Sequence, residues 1–333
     1  MTLPIADTSF VEATWILIVK SIVIFAVIFA IVPMLTVLER KLLGRFQSRY
    51  GPNRVGPFGL LQPLADAIKL ISKEHYHPRA AIPALYYIAP AIVVFTGVAT
   101  LAIIPFGDVQ EGFGLYGIDV PIGILYFFAF GSIAFYGLLL GGWASGSKYS
   151  FLGSMRAAAQ LISYEISMGL ALLGAVMMAG SLSLVSLVEA QSQIWYVIPQ
   201  FVGFLIFLVA GFAETNRAPF DLPEADAELV AGYGTEYGGM RYGSYALAEY
   251  IEMFVISAVA VTFFLGGWHG PGPGFLDPVW VLVKIFAFLF LFMWVRATVP
   301  RVRYDQLMSL GWKVLLPLAT LNVLVTAVLV TVT

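Results

Sequence analysis

Apolar positions along this chain gather into eight long stretches from which charge almost vanishes. Pro83–Pro105, Pro121–Trp143, Trp195–Ala213 and Val314–Val332 contain no Asp, Glu, Lys or Arg. Trp15–Leu38 carries Lys20, Ala157–Gly180 carries Glu165, and Tyr245–Trp268 carries Glu249 and Glu252. Pro278–Val299 carries Lys284 in its body and Arg296 at its edge. About 20 mostly apolar residues suffice for a helix to cross a bilayer. The pattern predicts an all-α integral membrane protein of eight transmembrane helices forming a single transmembrane domain over 1–333. Its spans run over about 15–38, 83–105, 121–143, 157–180, 195–213, 245–268, 278–299 and 314–332.

The basic residues orient these spans. Arg40, Lys41, Arg45, Arg49, Arg54, Lys69, Lys73 and Arg79 fall between the first and second. Lys148, Arg156, Arg217, Arg241, Arg296, Arg301, Arg303 and Lys313 fall in or beside the third, fifth and seventh connections. The even-numbered connections hold no Lys or Arg, only acids such as Asp108, Glu111, Asp119, Glu189 and Asp277. Positive charge marks the cytoplasmic side, so both termini are expected on the outer side.

Two odd-numbered connections are too large to be simple linkers. The first runs through a segment dense with turn formers, Arg49–Gly59. Leu60, Leu61, Leu64, Ala67, Ile68 and Ile71 then recur at helical spacing between Asp66, Lys69, Lys73 and Glu74. This predicts an amphipathic helix in the first cytoplasmic loop. It reads as a surface anchor for the loop or as a wall of an entrance for an amphiphilic substrate, and the anchor has the slight advantage. The fifth connection carries Glu214, Asp221, Glu224, Asp226, Glu228 and Glu236 against only Arg217 and Arg241. Acids on a loop are commonly just a solvated face. Interleaved Pro219, Phe220, Leu222, Pro223, Leu229 and Val230 favour a loop folded back on the bundle, its carboxylates lining a wet cavity.

Composition narrows the chemistry. The 333 residues are 60% hydrophobic and 11% charged, against about 25% charged in soluble domains. There is no cysteine and only three histidines, so thiolate-held zinc or iron–sulfur clusters are excluded and a haem pair or other metal site is not expected. No glycine-rich nucleotide fingerprint stands in a strand–helix context. The net charge of −2 offers nothing for nucleic acid. The polar N-terminal residues Asp7, Thr8, Ser9 and Glu12 do not read as a cleaved signal peptide.

The charges inside the spans carry the functional signal. Lys20 and Lys284 lie near the outer ends of their spans, where a lysine stem can snorkel to water; structural and functional readings stand even. A glutamate has no such reach, and burying one at the bilayer centre costs at least ~2.5–3.5 kcal/mol. Glu165, Glu214, Glu249 and Glu252 all fall in the cytoplasmic half, with Glu249 and Glu252 on one helix face. They are either unrelated structural acids or one hydrated proton path; clustering of four costly groups at one depth favours the path.

Several strings resemble a known family. Glu39-Arg40-Lys41, Arg49-Tyr50-Gly51-Pro52-Asn53-Arg54-Val55-Gly56-Pro57 and Gly59–Lys69 resemble the first cytoplasmic loop of the NuoH-type subunit of respiratory complex I (NADH:quinone oxidoreductase). So do Arg156-Ala157-Ala158-Ala159-Gln160 with Ser163-Tyr164-Glu165, the run Glu214–Glu224, and Arg301–Leu307. The resemblance extends from about residue 15 to 332 and implies an eight-helix fold, with spans two to six like the unit shared with antiporter-type subunits. It implies a quinone chamber lined or supported by Glu39, Arg40, Arg49, Asp66, Arg217, Asp221 and Arg296. It also implies a proton relay through Glu165, Glu214, Glu224, Asp226, Glu228, Glu249 and Glu252. The chain would bind no redox cofactor and hold no catalytic residue of its own; quinone, ubiquinone or menaquinone, would be the substrate. FMN and iron–sulfur clusters would sit in partner subunits. The implied partners are hydrophilic-arm quinone-site and cluster-bearing subunits, small membrane subunits, antiporter-like subunits and membrane lipid. A bacterial plasma membrane is the expected location, ahead of the mitochondrial inner membrane. Two departures stand out: Asp226 where the family usually has Glu, and Gly146 where Asn is expected. The equivalent subunit of a membrane-bound hydrogenase or formate hydrogenlyase and a stand-alone cation/proton antiporter are the competing readings. A purely structural anchor is the third.

Overall fold

The computed structural model describes residues 14–74, 76–110, 113–223 and 226–332. Its helices are α1 (Thr14–Phe46), α2 (Gln62–Ser72), α3 (Pro83–Leu101), α4 (Gly123–Ala144), α5 (Lys148–Ala179) and α6 (Leu184–Glu189). They continue with α7 (Phe201–Glu214), α8 (Asp226–Leu229), α9 (Met240–Phe264), α10 (Asp277–Thr298), α11 (Tyr304–Leu310) and α12 (Leu316–Val332). A π-helical turn, Gly311–Leu315, joins α11 to α12. One feature departs from the all-α expectation. Strands β1 (Gly107–Gln110) and β2 (Phe113–Leu115) pair antiparallel in the second connection, with Gly107 opposite Leu115.

Among the described residues seven helical segments are long and apolar enough to cross a membrane: Ile18–Phe46, Pro83–Leu101, Gly123–Ala144, Lys148–Ala179, Met240–Phe264, Gly274–Thr298 and Tyr304–Val332. The fifth expected stretch, 195–213, is helical only over Phe201–Glu214. Pro199 explains the late start, because it lacks an N–H and disfavours helix in the residue before it. The segment ahead of α7 is tied instead to α9, through the Val197 N–H donating to the Phe264 carbonyl at 2.8 Å. Several helices overrun the apolar stretches. α1 continues through Glu39, Arg40 and Lys41, and α5 starts nine residues before Ala157. Charge marks where lipid ends, while a helix ends only where its backbone bonding stops.

α9 is the axis of the bundle. Of its apolar window 78% is buried, against 28% for α1 and 17% for the segment ending in α12. α1, α3, α7 and α10 pack on α9, and α4, α7 and α12 pack on α5. Small residues permit these approaches. A Cβ on Gly141 of α4 would lie 2.0 Å from the Tyr245 hydroxyl of α9, and one on Gly153 of α5 would lie 2.7 Å from the Gly232 backbone.

The loop after α7 folds into the bundle. Phe220 and Leu222 are buried, and the Gln160 side chain of α5 donates to the carbonyls of Ala213 and Phe220 at 2.7 and 2.9 Å. α2 packs on α1 and α9 and leaves Leu64, Ile68 and Ile71 exposed.

Candidate functional site

A buried ion network forms where α1, α9, α10 and the loop after α7 meet. Its hub is Glu39, only 3% exposed although it lies at the charged end of α1. Arg217 Nη1 donates to both Glu39 carboxylate oxygens at 3.1 Å, the Tyr250 hydroxyl donates at 2.6 Å, and Arg296 of α10 donates to Oε1. Arg217 also stacks over the Tyr250 ring at 4.2 Å. Its Nε stands 3.6 Å from Glu249 Oε2, and the Tyr233 hydroxyl donates to Glu249 Oε1 at 2.8 Å. Burial by itself would depress the Arg217 guanidinium, but Glu249 and Glu39 on its two sides hold it charged, above its ordinary range. Asp221 lies within charge range of Glu249.

A row of acids extends from this network. Glu249 acts electrostatically on Glu252, and Glu252 and Glu165 both act on Glu214. Glu214 of α7 and Glu252 of α9 line one cavity of about 30 Å³, together with Thr96 and Thr100 of α3. That volume holds a water, which needs roughly 10–15 Å³. Glu165 accepts from the Ser132 hydroxyl at 2.6 Å. It is half-buried and opens on an apolar surface groove between α4 and α5. The row therefore runs from α1 through the centre to the outer face of α5.

Other expected residues stay outside. Arg40 pairs with Asp66 at 2.8 Å, linking α1 to α2, and Gln62 and Lys69 add to the contact. Burial raises Asp66, but the hydrogen bonds from Arg40 and Gln62 and the nearby cations prevail and hold it below the usual carboxylate range. Glu228 pairs with Arg156 at 2.5 Å on an exposed face; that hydrogen bond lowers it. Arg49 donates to Gln47 at 2.7 Å on an exposed turn and does not join the network. Glu224 and the side chain of Asp226 lie outside the described residues. Tyr233, Tyr250 and Ser132 complete the geometry without having been singled out from sequence. A tyrosine or serine in an apolar stretch gives no signal until its partner is known. The resemblance implies Glu39 and Arg217 as chamber residues and Glu249 as relay, whereas the fold joins all three through one guanidinium.

Among the described residues no three His, Cys, Asp or Glu converge as a metal site. The arrangement supports charge exchange: one buried guanidinium between two carboxylates, a second cation at its edge, and a line of acids leading away.

The sequence profile of the NADH dehydrogenase family matches residues 19–327. A NuoH-type NADH-quinone oxidoreductase subunit of Geobacter metallireducens is 54% identical over 312 residues, covering 92% of this chain and 94% of its own length. Its counterpart in Protochlamydia amoebophila is 52% identical over 297 residues (88% and 91%), and that of Thermomicrobium roseum 49% identical over 316 (90% and 92%). Likeness at this level along nearly the full length places the chain in the NADH dehydrogenase family, with the NuoH-type subunits of the NADH-quinone oxidoreductases.

Proposed function

We propose that this chain, a multi-pass membrane subunit of an NADH-quinone oxidoreductase, forms a wall of the quinone chamber and couples quinone reduction to proton translocation. The observation that carries the reading is the network around Arg217. A buried cation shared by Glu39 and Glu249 converts a change of charge on the chamber side into a change of field at Glu249. Reduction of a quinone creates proton demand. Arg217 and Arg296 respond by leaning toward or away from Glu39, and Glu249, held by Tyr233, gains or loses its proton accordingly. Glu252 and Glu214, across their shared cavity, pass the proton toward Glu165. Electrons arrive from a cluster-bearing partner, and the basic first loop docks the hydrophilic arm. Eight crossings with both termini outside suit the charge pattern; α7, about 21 Å long at 1.5 Å per residue, crosses together with 195–200. The exposed apolar face of α2 suits an amphipathic helix lying at the lipid boundary, and the membrane is a bacterial plasma membrane.

The test is Glu249→Gln in the assembled complex, reconstituted in proteoliposomes. Proton translocation driven by quinone reduction is expected to fall at least tenfold. NADH oxidation by an artificial acceptor upstream of quinone stays unchanged and reports intact electron input, and retention of this subunit in the complex on native gels reports assembly. Undiminished proton translocation in that variant would sink the proposal.

A further inference from the structure

α1 and α3 both pack on α9, and between them lies a surface groove of about 460 Å³, apart from the row of acids. It follows α3 from Tyr87 to Val98, with Phe29 on the α1 wall. At 1.5 Å per residue that length is about 16 Å, close to one leaflet of a ~30 Å hydrocarbon core. Phe29, Tyr87 and Phe95 are exposed, so the walls are apolar and the described residues do not fill the groove.

Among the described residues that line it, charge stands at one end of the groove. Arg241, in the first turn of α9, closes it beside Tyr87. Its guanidinium lies over the rings of Tyr86 and Tyr87 at 5.1 and 4.6 Å and donates to the Tyr76 carbonyl at 3.3 Å. These contacts orient the fork and leave most of its five donors for another acceptor. Among the described residues Arg241 has no carboxylate partner; Glu236, a neighbour of Tyr86, does not pair with it. Lys73 is outside the groove's lining, but its backbone runs beside the start of α9. Its Cβ is 3.8 Å from where a Cβ on Gly239 would stand, and Gly239 is two residues before Arg241. Lys73 is exposed and makes no ion pair among the described residues. The Ser244 hydroxyl, also at this end, donates to the Met240 carbonyl at 2.9 Å, so recognition of an anion falls to the two cations.

We propose that this groove binds an anionic phospholipid, its phosphate on Arg241 and Lys73 and one acyl chain lying along α3 toward Val98. Basic sites at the cytoplasmic ends of membrane helices select anionic headgroups, and an apolar channel one leaflet long accommodates the chain. A neutral isoprenoid tail would fill the groove without using either cation. A zwitterionic lipid brings its own cation to the same spot and weakens the match.

The intact complex is photolabelled in vesicles with phosphatidylglycerol or phosphatidylcholine bearing a diazirine near the acyl terminus. Phosphatidylglycerol adducts are expected on the stretch from Phe95 to Val98. They fall roughly fivefold in Arg241→Gln and roughly 25-fold when Lys73→Gln is added, as two headgroup contacts of about 1 kcal/mol each dictate. Phosphatidylcholine labels the site more weakly and is indifferent to both changes. Ala91→Trp, on the exposed groove wall, removes the adducts while keeping both cations. Retention of this subunit in the complex on native gels confirms assembly in every variant. Equal labelling by the two lipids, labelling that survives loss of both cations, or a groove covered by another subunit and yielding no lipid adduct would each overturn the proposal.

Discussion

Arg217 shows what a buried cation needs in order to be kept. It gives two hydrogen bonds to Glu39, faces Glu249 and stacks on Tyr250. A lysine offers the same charge but no planar fork and no stacking face. Arg217→Lys is therefore expected to hold Glu39 or Glu249 but not both. Quinone-dependent turnover should fall roughly tenfold or more, the loss of about 1.4 kcal/mol in one charge-assisted bond, with electron input to an artificial acceptor unchanged. Wild-type turnover in the lysine variant would show that the shared geometry is dispensable. Of the charged members of this network, Glu249 was visible in the sequence because an acid inside an apolar stretch is costly and so conspicuous; Glu39, Arg217 and Arg296 were marked only by the resemblance to the NuoH-type subunits. Tyr233 and Tyr250 were not. Tyrosine is half apolar and common at membrane borders, and its hydroxyl becomes informative only once a carboxylate stands 2.8 or 2.6 Å away.

At the scale of elements, the Arg40–Asp66 pair ties α2 to the end of α1. Asp66 is held below the usual carboxylate range, so the folded state binds its proton less readily than the unfolded chain does. Its contribution to α2 docking is complete above the ordinary aspartate value of ~3.9 and disappears as pH falls through the lowered value. Amide exchange across 62–72, corrected for intrinsic rate, is expected to be flat from neutral pH to about pH 5 and to rise on the acid side. Asp66→Asn should show the raised exchange already at neutral pH; protection equal to wild type would mean that apolar contacts alone hold α2. The sequence located this helix because its apolar period and its charges agree. Among the described residues seven of the expected stretches fall on helices long enough to span, while the helix ends were read poorly, since hydropathy reports the lipid boundary whereas backbone bonding decides where α1 and α5 stop. Pro199 was the available warning that the fifth stretch would not be helical throughout. The hairpin at Gly107–Leu115 is too short for its alternation to be read.

Across the whole molecule, Glu39 and Glu249 are 210 positions apart in sequence, and each helix brings one of them to the same guanidinium. That shared partner makes their effects interdependent. Losing Glu39 leaves Arg217 with Glu249; losing Glu249 leaves it with Glu39. Losing both strands Arg217 in the bundle with no carboxylate contact among the described residues, and removing the partners of a buried charge costs about 3–5 kcal/mol. Glu39→Gln and Glu249→Gln combined should therefore destabilise the complex beyond the sum of the single changes, by roughly 0.5–3 kcal/mol. The check is the temperature at which half of this subunit is lost from the complex on native gels, compared for the two single variants and the double. Adding Arg217→Met to the double variant removes the stranded cation and should recover part of the loss, because apolar packing replaces buried ion networks at little cost. A strictly additive double, unimproved by Arg217→Met, would mean that the two carboxylates sit near one arginine without sharing it, and the route from chamber to relay would have to run through other residues.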